Sequence, residues 1–260
     1  MIYKDSESTT DDWNRHWQDF ANYASENPAQ NYRHRTVLKV LRAAGIRDTV
    51  RLLDIGSGQG DFLRKAAKRW PAAELVGVEL SQTGVEITRR KVPRARVFAA
   101  DVFGRSPEIA FLEGWAEAAV CSEVLEHIDD PVAFLRAASF YLAPGACLVI
   151  TVPGGPVSSF DQYIGHRQHF TARQVAGLLS SAGFKVHRVM RAGFPFFNLY
   201  RKVVIARGEK LAQDLKTRPA GVSFFFARSV MAMFRVLFHA NFFDSPFGWQ
   251  IVAVVRKATT

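Results

Sequence analysis

Three acidic residues and a glycine-rich stretch are spaced so that they could form one ligand-binding site. Asp54 lies at the end of an apolar run and is followed by Gly56-Ser57-Gly58-Gln59-Gly60, whose glycines let a ligand approach the backbone closely. A carboxylate there would repel a pyrophosphate but would accept hydrogen bonds from an ammonium group. Glu79 closes the next apolar run, about 25 residues on, where an acid can accept both hydroxyls of a ribose. Asp101 closes a third apolar run, where it could reach an adenine amino group. The glycine-rich stretch alone leaves dinucleotide binding open, but together with the three acids it favours a cationic nucleoside.

Three histidines are candidates for a general base, because the ordinary pKa of imidazole is near 6.5. His127 follows the fourth apolar run, and His166 and His169 follow the fifth. Each has a structural alternative, since His127 could only hydrogen-bond within its loop and the other two could only anchor the next helix.

A Glu-x-x-Glu-His string, formed by Glu123, Glu126 and His127, offers ligands for a divalent metal, with His166 or His169 as a fourth. Carboxylates with one imidazole select weakly among metals, so metal binding is possible but is not the favoured interpretation.

The elements that would position these residues alternate between strands and helices, as βα units of a parallel sheet do. We predict strands at 51–55, 74–80, 96–100, 116–122, 147–152, 185–191 and 249–256. We predict helices at 12–24, 32–41, 61–70, 82–91, 131–142 and 171–182. Pro144-Gly145 is expected to turn the chain into the fifth strand. Because the last two strands are more than fifty residues apart, an insertion must lie between them.

The chain resembles the class I S-adenosylmethionine-dependent methyltransferases, and within them the ubiquinone-pathway O-methyltransferases. The resemblance rests on the run from Leu53 to Gly60, on Glu79 and Asp101, on 121–127 (Cys-Ser-Glu-Val-Leu-Glu-His), and on 143–148 before the fifth strand. It implies a Rossmann-like seven-stranded, mostly parallel α/β sheet with helices on both faces, an antiparallel last strand, N-terminal helices and a helical insertion before that strand.

The resemblance also implies S-adenosylmethionine as methyl donor and S-adenosylhomocysteine as product. It assigns the methionine portion to Asp54 and the glycines, the ribose to Glu79, and the adenine to Asp101 with Val102. The full set of implied cofactor residues is Asp54, Ile55, Gly56, Ser57, Gly58, Glu79, Leu80, Asp101, Val102 and Ser122. In some relatives, including small-RNA 2′-O-methyltransferases, the Glu-x-x-Glu-His string binds a metal.

Four segments are expected: an N-terminal helical cap (1–45), a cofactor-binding core (46–192), an aromatic and basic helical insertion (193–247) and the last strand (248–260). Three roles are open for the insertion. It could cover a small, lipophilic acceptor, it could rest on an anionic membrane, or its aromatic residues could simply pack as core or as a homodimer interface. Its candidate side chains are Phe194, Phe196, Phe197, Phe224 to Phe226, Phe234, Phe238, Arg201, Lys202, Arg207 and Lys210.

Charge and composition set further expectations. Residues 151–260 hold 15 basic and 4 acidic side chains, a net charge of +11. Nucleic acid is not the expected partner. A base-flipping methyltransferase would carry an Asn/Asp-Pro-Pro-aromatic string after the fourth strand, and 122–125 (Ser-Glu-Val-Leu) stands there instead. A non-catalytic lipid- or partner-binding role is opposed by the intact loop. The polar stretch from Met1 to Asp12 predicts no signal peptide. Cys121 and Cys147 both lie in apolar runs typical of core strands, which favours a reduced, cytoplasmic location with membrane contact at most peripheral.

Overall fold

The computed structural model describes residues 12–104, 106–217 and 222–259. The strands are β1 (Arg51–Ile55), β2 (Glu74–Glu79), β3 (Arg96–Ala99), β4 (Ala116–Ser122), β5 (Leu142–Pro153), β6 (Phe184–Ala192) and β7 (Gln250–Lys257). The helices are α1 (Trp13–Glu26), α2 (Pro28–Ala43), α3 (Asp61–Arg69), α4 (Gln82–Lys91), α5 (Pro131–Ser139), α6 (Ser159–Tyr163), α7 (Ala172–Ser181), α8 (Phe196–Thr217) and α9 (Val222–Leu237). Short 3₁₀ turns occupy Pro107–Leu112, Leu125–His127 and Phe238–Ala240.

The strands form one seven-stranded sheet in the order β3-β2-β1-β4-β5-β7-β6. Strands β1 to β5 pair in parallel, and β7 is antiparallel to both β5 and β6. Alternate residues of each strand point to opposite faces, so Leu53 packs under α5 and α7 while Leu52 packs under α2, α3 and α9. The fold class expected from the sequence is therefore confirmed.

Local capping chemistry explains why several helices begin where they do. Asp130 accepts a hydrogen bond from the backbone N–H of Ala133, and Pro131 occupies the first position of α5. Thr171 and Gln174 form a reciprocal capping box at the start of α7, and Gly183 follows its end with φ +90°.

Two boundaries differ from the sequence prediction. The second helix was predicted to begin at residue 32, but Asn27 is the N-cap of α2 and Pro28 its first residue, so that helix begins four residues earlier. Pro144-Gly145 lies within β5, where the pairing to β4 shifts register between Ala116 and Ala118, so the expected turn is an irregularity in a longer strand. Helix α5 accordingly ends at Ser139, three residues before its predicted end.

The insertion consists of α8 and α9, and α8 is two helical segments joined at Gly208 (φ 43°, ψ −123°). Phe197, Phe234 and Phe238 are each 2% exposed and pack with Tyr32 of α2 on the sheet. These aromatic residues are core, which is the third of the three interpretations offered for them. The side chains of Phe224 to Phe226 and Lys210 lie outside the described residues.

Candidate functional site

The three predicted acids meet at one edge of the sheet, because the carboxyl ends of parallel neighbouring strands lie side by side. Asp54 is next to last in β1, Glu79 is last in β2, and Asp101 follows β3 by two residues. Asp54 is 2% and Glu79 6% exposed, whereas Asp101 is at the surface. Burial, with the neighbouring charge of Glu79 second, raises the pKa of Asp54 to about 8.

The glycine loop has the backbone that only glycine adopts readily. Gly56 and Gly58 have φ of 71° and 55°, and a Cβ at these positions would lie 2.5 Å from Val124 and 2.6 Å from the Trp17 ring. Any larger residue would therefore strain the loop and push against both neighbours.

Glu79 holds the loop in place. Its Oε2 accepts from the backbone N–H of Gly58 at 2.7 Å, and its Oε1 accepts from that of Ser81 at 3.0 Å. Each carboxylate oxygen has a second lone pair, so both can also accept from a vicinal diol.

Two neighbouring cavities open at this edge, with volumes of about 450 and 350 Å³. All ten cofactor residues expected from the sequence line one or the other. The first cavity has Ile55, Gly56, Glu79, Leu80, Asp101 and Val102, and the second has Asp54, Gly56, Ser57, Gly58 and Ser122. The two cavities share Gly56, Glu123, His127, Trp13 and Trp17, which therefore mark their junction.

These residues fit S-adenosylmethionine. Asp54 Oδ2 and Ser57 Oγ are buried without a hydrogen-bond partner among the described residues, so the second cavity offers polar atoms to the amino-acid portion of the ligand. Glu79 and Asp101 line the first cavity beside apolar Val78, Ala100, Val102 and Phe134, a setting suited to ribose hydroxyls and a flat base. A sulfonium between these two portions would lie at the junction.

His127 is at the junction, as the last residue of the 3₁₀ turn that follows β4. Its Nδ1 lies 3.0 Å from the carbonyl oxygen of Gly165, and a carbonyl only accepts, so Nδ1 carries the hydrogen and Nε2 keeps a lone pair. Burial is the main reason why the pKa of His127 falls to about 4, and the charges of His16 and Arg167 lower it further. The imidazole is therefore neutral at pH 7.

His166 and His169 form a hydrogen-bonded pair behind His127. Nδ1 of His169 bonds the carbonyl of Gly155 at 3.2 Å, so its Nε2 accepts from Nδ1 of His166, also at 3.2 Å. Both nitrogens of His169 are thus engaged, whereas His166 keeps a lone pair on Nε2. The rings of His166 and His127 have centroids 4.8 Å apart, so these two predicted bases are neighbours and His169 supports them from behind.

The Glu-x-x-Glu-His string does not converge as one group. Glu123 (φ 58°) turns to Arg33 at 3.5 Å and accepts from Thr151 and Gln250. Glu126 is fully buried, and its carboxylate oxygens have no hydrogen-bond partner among the described residues, although Nε2 of His166 lies 3.9 Å from Oε1. Burial, with the charge of Glu123 second, raises the pKa of Glu126 well above its usual value, which favours the protonated acid. Ligand atoms of Glu126, His127 and His166 lie within 4.8 Å of one another, and Glu123 is not in that group.

Sequence patterns did not reveal several residues of the site. Trp13 packs edge-on against His127, with ring centroids 4.7 Å apart, and Trp17 covers Gly58, so α1 closes the junction from outside. Arg201 of α8 donates to Asp161 of α6 at 2.8 Å. The Ser158-x-x-Asp161 capping box is a sequence signal that could have pointed to Asp161. The contacts of Trp13, Trp17 and Arg201 join residues far apart in the chain, so no short sequence pattern indicates them.

Comparison with known proteins identifies the family. A family model described as a methyltransferase domain matches residues 15–189. The trans-aconitate 2-methyltransferase of Enterobacter sp. (strain 638) is 37% identical over 78 residues, 30% of this chain and 31% of that protein. The ubiquinone biosynthesis O-methyltransferase of Xanthomonas campestris pv. campestris (strain B100) is 33% identical over 103 residues, 39% of this chain and 42% of that protein. The chain thus spans less than half the length of these two curated relatives.

A solved structure shows the same fold. The Burkholderia thailandensis 1,6-didemethyltoxoflavin-N1-methyltransferase, with 1,6-didemethyltoxoflavin and S-adenosylhomocysteine bound, aligns with a TM-score of 0.55 over 95% of this chain and 84% of that chain, at 15% identity. Because the family model spans more than half of the chain and the strand ends fit the cofactor, the chain belongs to the family of S-adenosylmethionine-dependent methyltransferases.

Proposed function

We propose that this chain moves a methyl group from S-adenosylmethionine to an oxygen of a small lipophilic acceptor, with His127 as general base. The observation that carries the proposal is the place of His127 at the junction of the two cavities, beside Gly56 of the cofactor loop. In the reaction the acceptor oxygen attacks the methyl carbon as the carbon–sulfur bond breaks. The hydroxyl proton passes to Nε2 of His127, and the electron pair of the broken bond leaves with S-adenosylhomocysteine.

Apart from the cofactor loop with Asp54 and Ser57, the lining of the second cavity supports a lipophilic, uncharged acceptor. Its apolar lining includes Phe160, Ile164, Phe197, Tyr200, Met231 and Trp249. Its two arginines are already paired, Arg33 with Glu123 and Arg201 with Asp161. A polycarboxylate, such as the trans-aconitate in the name of several relatives, would need unpaired cations to replace its water. The pairing therefore favours a neutral phenol or alcohol.

An acceptor of this kind partitions into membranes, and peripheral contact with an anionic membrane is part of the proposal. The excess of 15 basic over 4 acidic residues in 151–260 supports it.

The test combines cofactor binding with methyl transfer. Calorimetry should show S-adenosylmethionine binding to the wild type, and His127→Gln should bind it equally while kcat for methyl transfer to a panel of hydrophobic phenols and alcohols falls about 10²- to 10⁴-fold. His187→Gln, a change at an exposed position of β6, is the matched control and should keep full activity. Absence of cofactor binding at millimolar concentration would refute the function, and full activity of His127→Gln would refute the base.

A second candidate is metal-assisted transfer, which the two unpaired oxygens of Glu126 favour. Glu126, His127 and His166 could supply three ligands to a divalent ion, which would polarise the acceptor oxygen in place of a base. Such a site requires Glu126 to ionise, against the raised pKa of its carboxyl group. The two mechanisms separate on chelation: activity that survives exhaustive dialysis against a chelator, with no stoichiometric metal by elemental analysis, leaves the base mechanism alone.

A further inference from the structure

The start of α8 and the loop 241–249 leave large apolar side chains exposed. Phe247 is 62%, Phe242 60% and Leu199 48% exposed. The ring of Phe194 stacks on that of Phe242 at 6.4 Å and lies 5.4 Å from that of Phe247. Leu199 lines a surface cavity with Phe194 and Phe247, so these four residues form one surface, the aromatic ridge.

Partly buried hydrogen bonds connect the backbone segments that carry the ridge. Asn198 is 7% exposed, and its amide donates to the carbonyl of Phe247 at 2.7 Å and accepts from the backbone N–H of Trp249 at 3.1 Å. The backbone N–H of Phe242 donates to the carbonyl of Phe194 at 2.8 Å. The protein therefore presents two phenylalanines to the outside with a fixed backbone, which distinguishes the ridge from a loose loop tip.

The charge around the ridge is positive. The surface cavity has a volume of about 500 Å³, and its described lining includes Arg191 and Lys202 but no carboxylate. The neighbouring acid, Asp244, is paired with Arg188 at 2.9 Å. An apolar surface bordered by cations matches the boundary between the headgroups and acyl chains of an anionic bilayer. A second copy placed on the same surface by two-fold symmetry would bring the cations of both copies together.

The ridge also lies close to the acceptor cavity. Trp249 lines both the surface cavity and the second cavity, and its ring lies 2.7 Å from where a Cβ of Gly155 would be. Trp249 is therefore shared by the described lining of the surface cavity and that of the space proposed for the acceptor. Among the described residues, none of the helices combines the length and the hydropathy of a membrane-spanning segment.

We propose that the aromatic ridge, with Arg191 and Lys202 beside it, rests on an anionic lipid bilayer and orients the second cavity towards it. The proposal rests on the proposed function for the purpose of the contact, which is to admit a lipid-dissolved acceptor beside Trp249. The binding itself is independent of methyl transfer.

Vesicle co-sedimentation of the full chain tests this surface. The wild type should bind vesicles of equimolar phosphatidylglycerol and phosphatidylcholine more tightly than phosphatidylcholine alone, and less tightly as salt rises. Phe242→Ser/Phe247→Ser should weaken the binding at least about tenfold, since interfacial affinity follows buried apolar area. Lys202→Glu, which leaves the aromatic residues in place, should weaken binding to the anionic vesicles alone. Phe111→Ser, a change at a residue 51% exposed on another part of the surface, is the matched control and should bind as the wild type does.

Calorimetric titration of each variant with S-adenosylmethionine is the companion measurement. Cofactor binding equal to that of the wild type would show that a variant is folded, and it tests the proposed function separately from vesicle binding. Wild-type binding to vesicles without cofactor binding would refute the proposed function and leave the ridge supported. The proposal that the ridge binds a bilayer would be refuted if the wild type and the double variant bound vesicles equally. It would also be refuted if the wild type did not bind vesicles at low salt. A wild-type dimer in sedimentation equilibrium that the double variant dissociates would overturn it too, since a second copy would then occupy the surface.

Discussion

Among single residues, Asp54 has the titration with the clearest functional consequence. Burial, followed by the charge of Glu79, raises the pKa of its carboxyl group to about 8, so the ligand-free protein holds a proton there at pH 7. An ammonium group beside it favours the ionised form and expels that proton. We therefore expect S-adenosylmethionine binding at pH 7 to release close to one proton, and affinity to rise from pH 6 to pH 8.

Calorimetry in buffers of different ionisation enthalpy measures that release, and Asp54→Asn should abolish it. The same pKa affects stability. Since the pKa of Asp54 in the fold lies above its ordinary value of 3.8, the ligand-free fold loses stability as pH rises from about 4 to about 8, and Asp54→Asn should show a smaller loss in urea unfolding. Cofactor binding without proton release would show that the ammonium does not meet Asp54.

The protonation state of His127 can be observed directly. Its bond to Gly165 places the hydrogen on Nδ1, and burial lowers its pKa to about 4. Long-range proton–nitrogen NMR should therefore show the neutral Nδ1–H form at pH 7, with protonation only near pH 4, while the exposed His187 serves as internal reference. Protonation of His127 near pH 6.5 would contradict this geometry.

Among the elements, α6 and α8 are joined by the buried ion pair of Asp161 and Arg201, whose side chains are 0% and 13% exposed. Burial alone would raise the pKa of Asp161, but the bond and charge of Arg201, with the bonds of Ser158, lower it to about 2. We expect Arg201→Ala to reduce the free energy of unfolding by about 3 to 5 kcal/mol, because it leaves a buried carboxylate unpaired.

Denaturant unfolding measures this cost, and Arg188→Ala is its control. The pair of Arg188 with Asp244 is exposed (59% and 40%), so its loss should cost less than about 1 kcal/mol. Because the pKa of Asp161 in the fold lies below its ordinary value of 3.8, the stabilisation by Arg201 is present above about pH 4 and disappears as pH falls towards 2. Equal costs for the two variants would mean that the buried pair adds nothing.

At the scale of the whole molecule, the cofactor site exists only in the folded sheet. Its acids come from the ends of three strands and its cover from α1, and these meet only after the sheet has assembled. S-Adenosylmethionine should therefore stabilise the fold by about 2.7 kcal/mol at a hundred times its Kd, seen as a rise in Tm that grows with ligand concentration. Asp54→Asn should show a smaller rise at the same concentration, and an unchanged wild-type Tm would contradict a preformed site.

The charge of the molecule is uneven at this scale. Residues 151–260 carry a net +11, against +10 for the whole chain, yet some of the arginines there are already engaged. Arg201, Arg188 and Arg256 donate to Asp161, Asp244 and the carbonyl of Gly145. The count of charges alone therefore overstates the cationic surface, and only the fold shows which cations border the ridge.

The sequence by itself determined the sheet, the glycine loop and the acids at the strand ends. These features are local: apolar periodicity predicts a strand or a helix, and a glycine or a capping residue marks where it ends. Two boundaries were corrected because the local preference of the residues there fits two structures. Asn27-Pro28 can either stop or start a helix, and Pro144-Gly145 can form either a turn or an irregularity in a strand.

Only the tertiary structure decided which distant residues meet. Trp13 lies on His127 and Glu123 turns to Arg33, although about a hundred residues separate each pair, and no periodic pattern specifies such a contact. The same holds for the insertion, where Phe234 is buried and Phe247 is exposed although both are phenylalanine. Burial depends on what lies opposite in the folded chain, and so the sequence identified the methyl donor while the packing of α1, α8 and the loop 241–249 shaped the space for the acceptor.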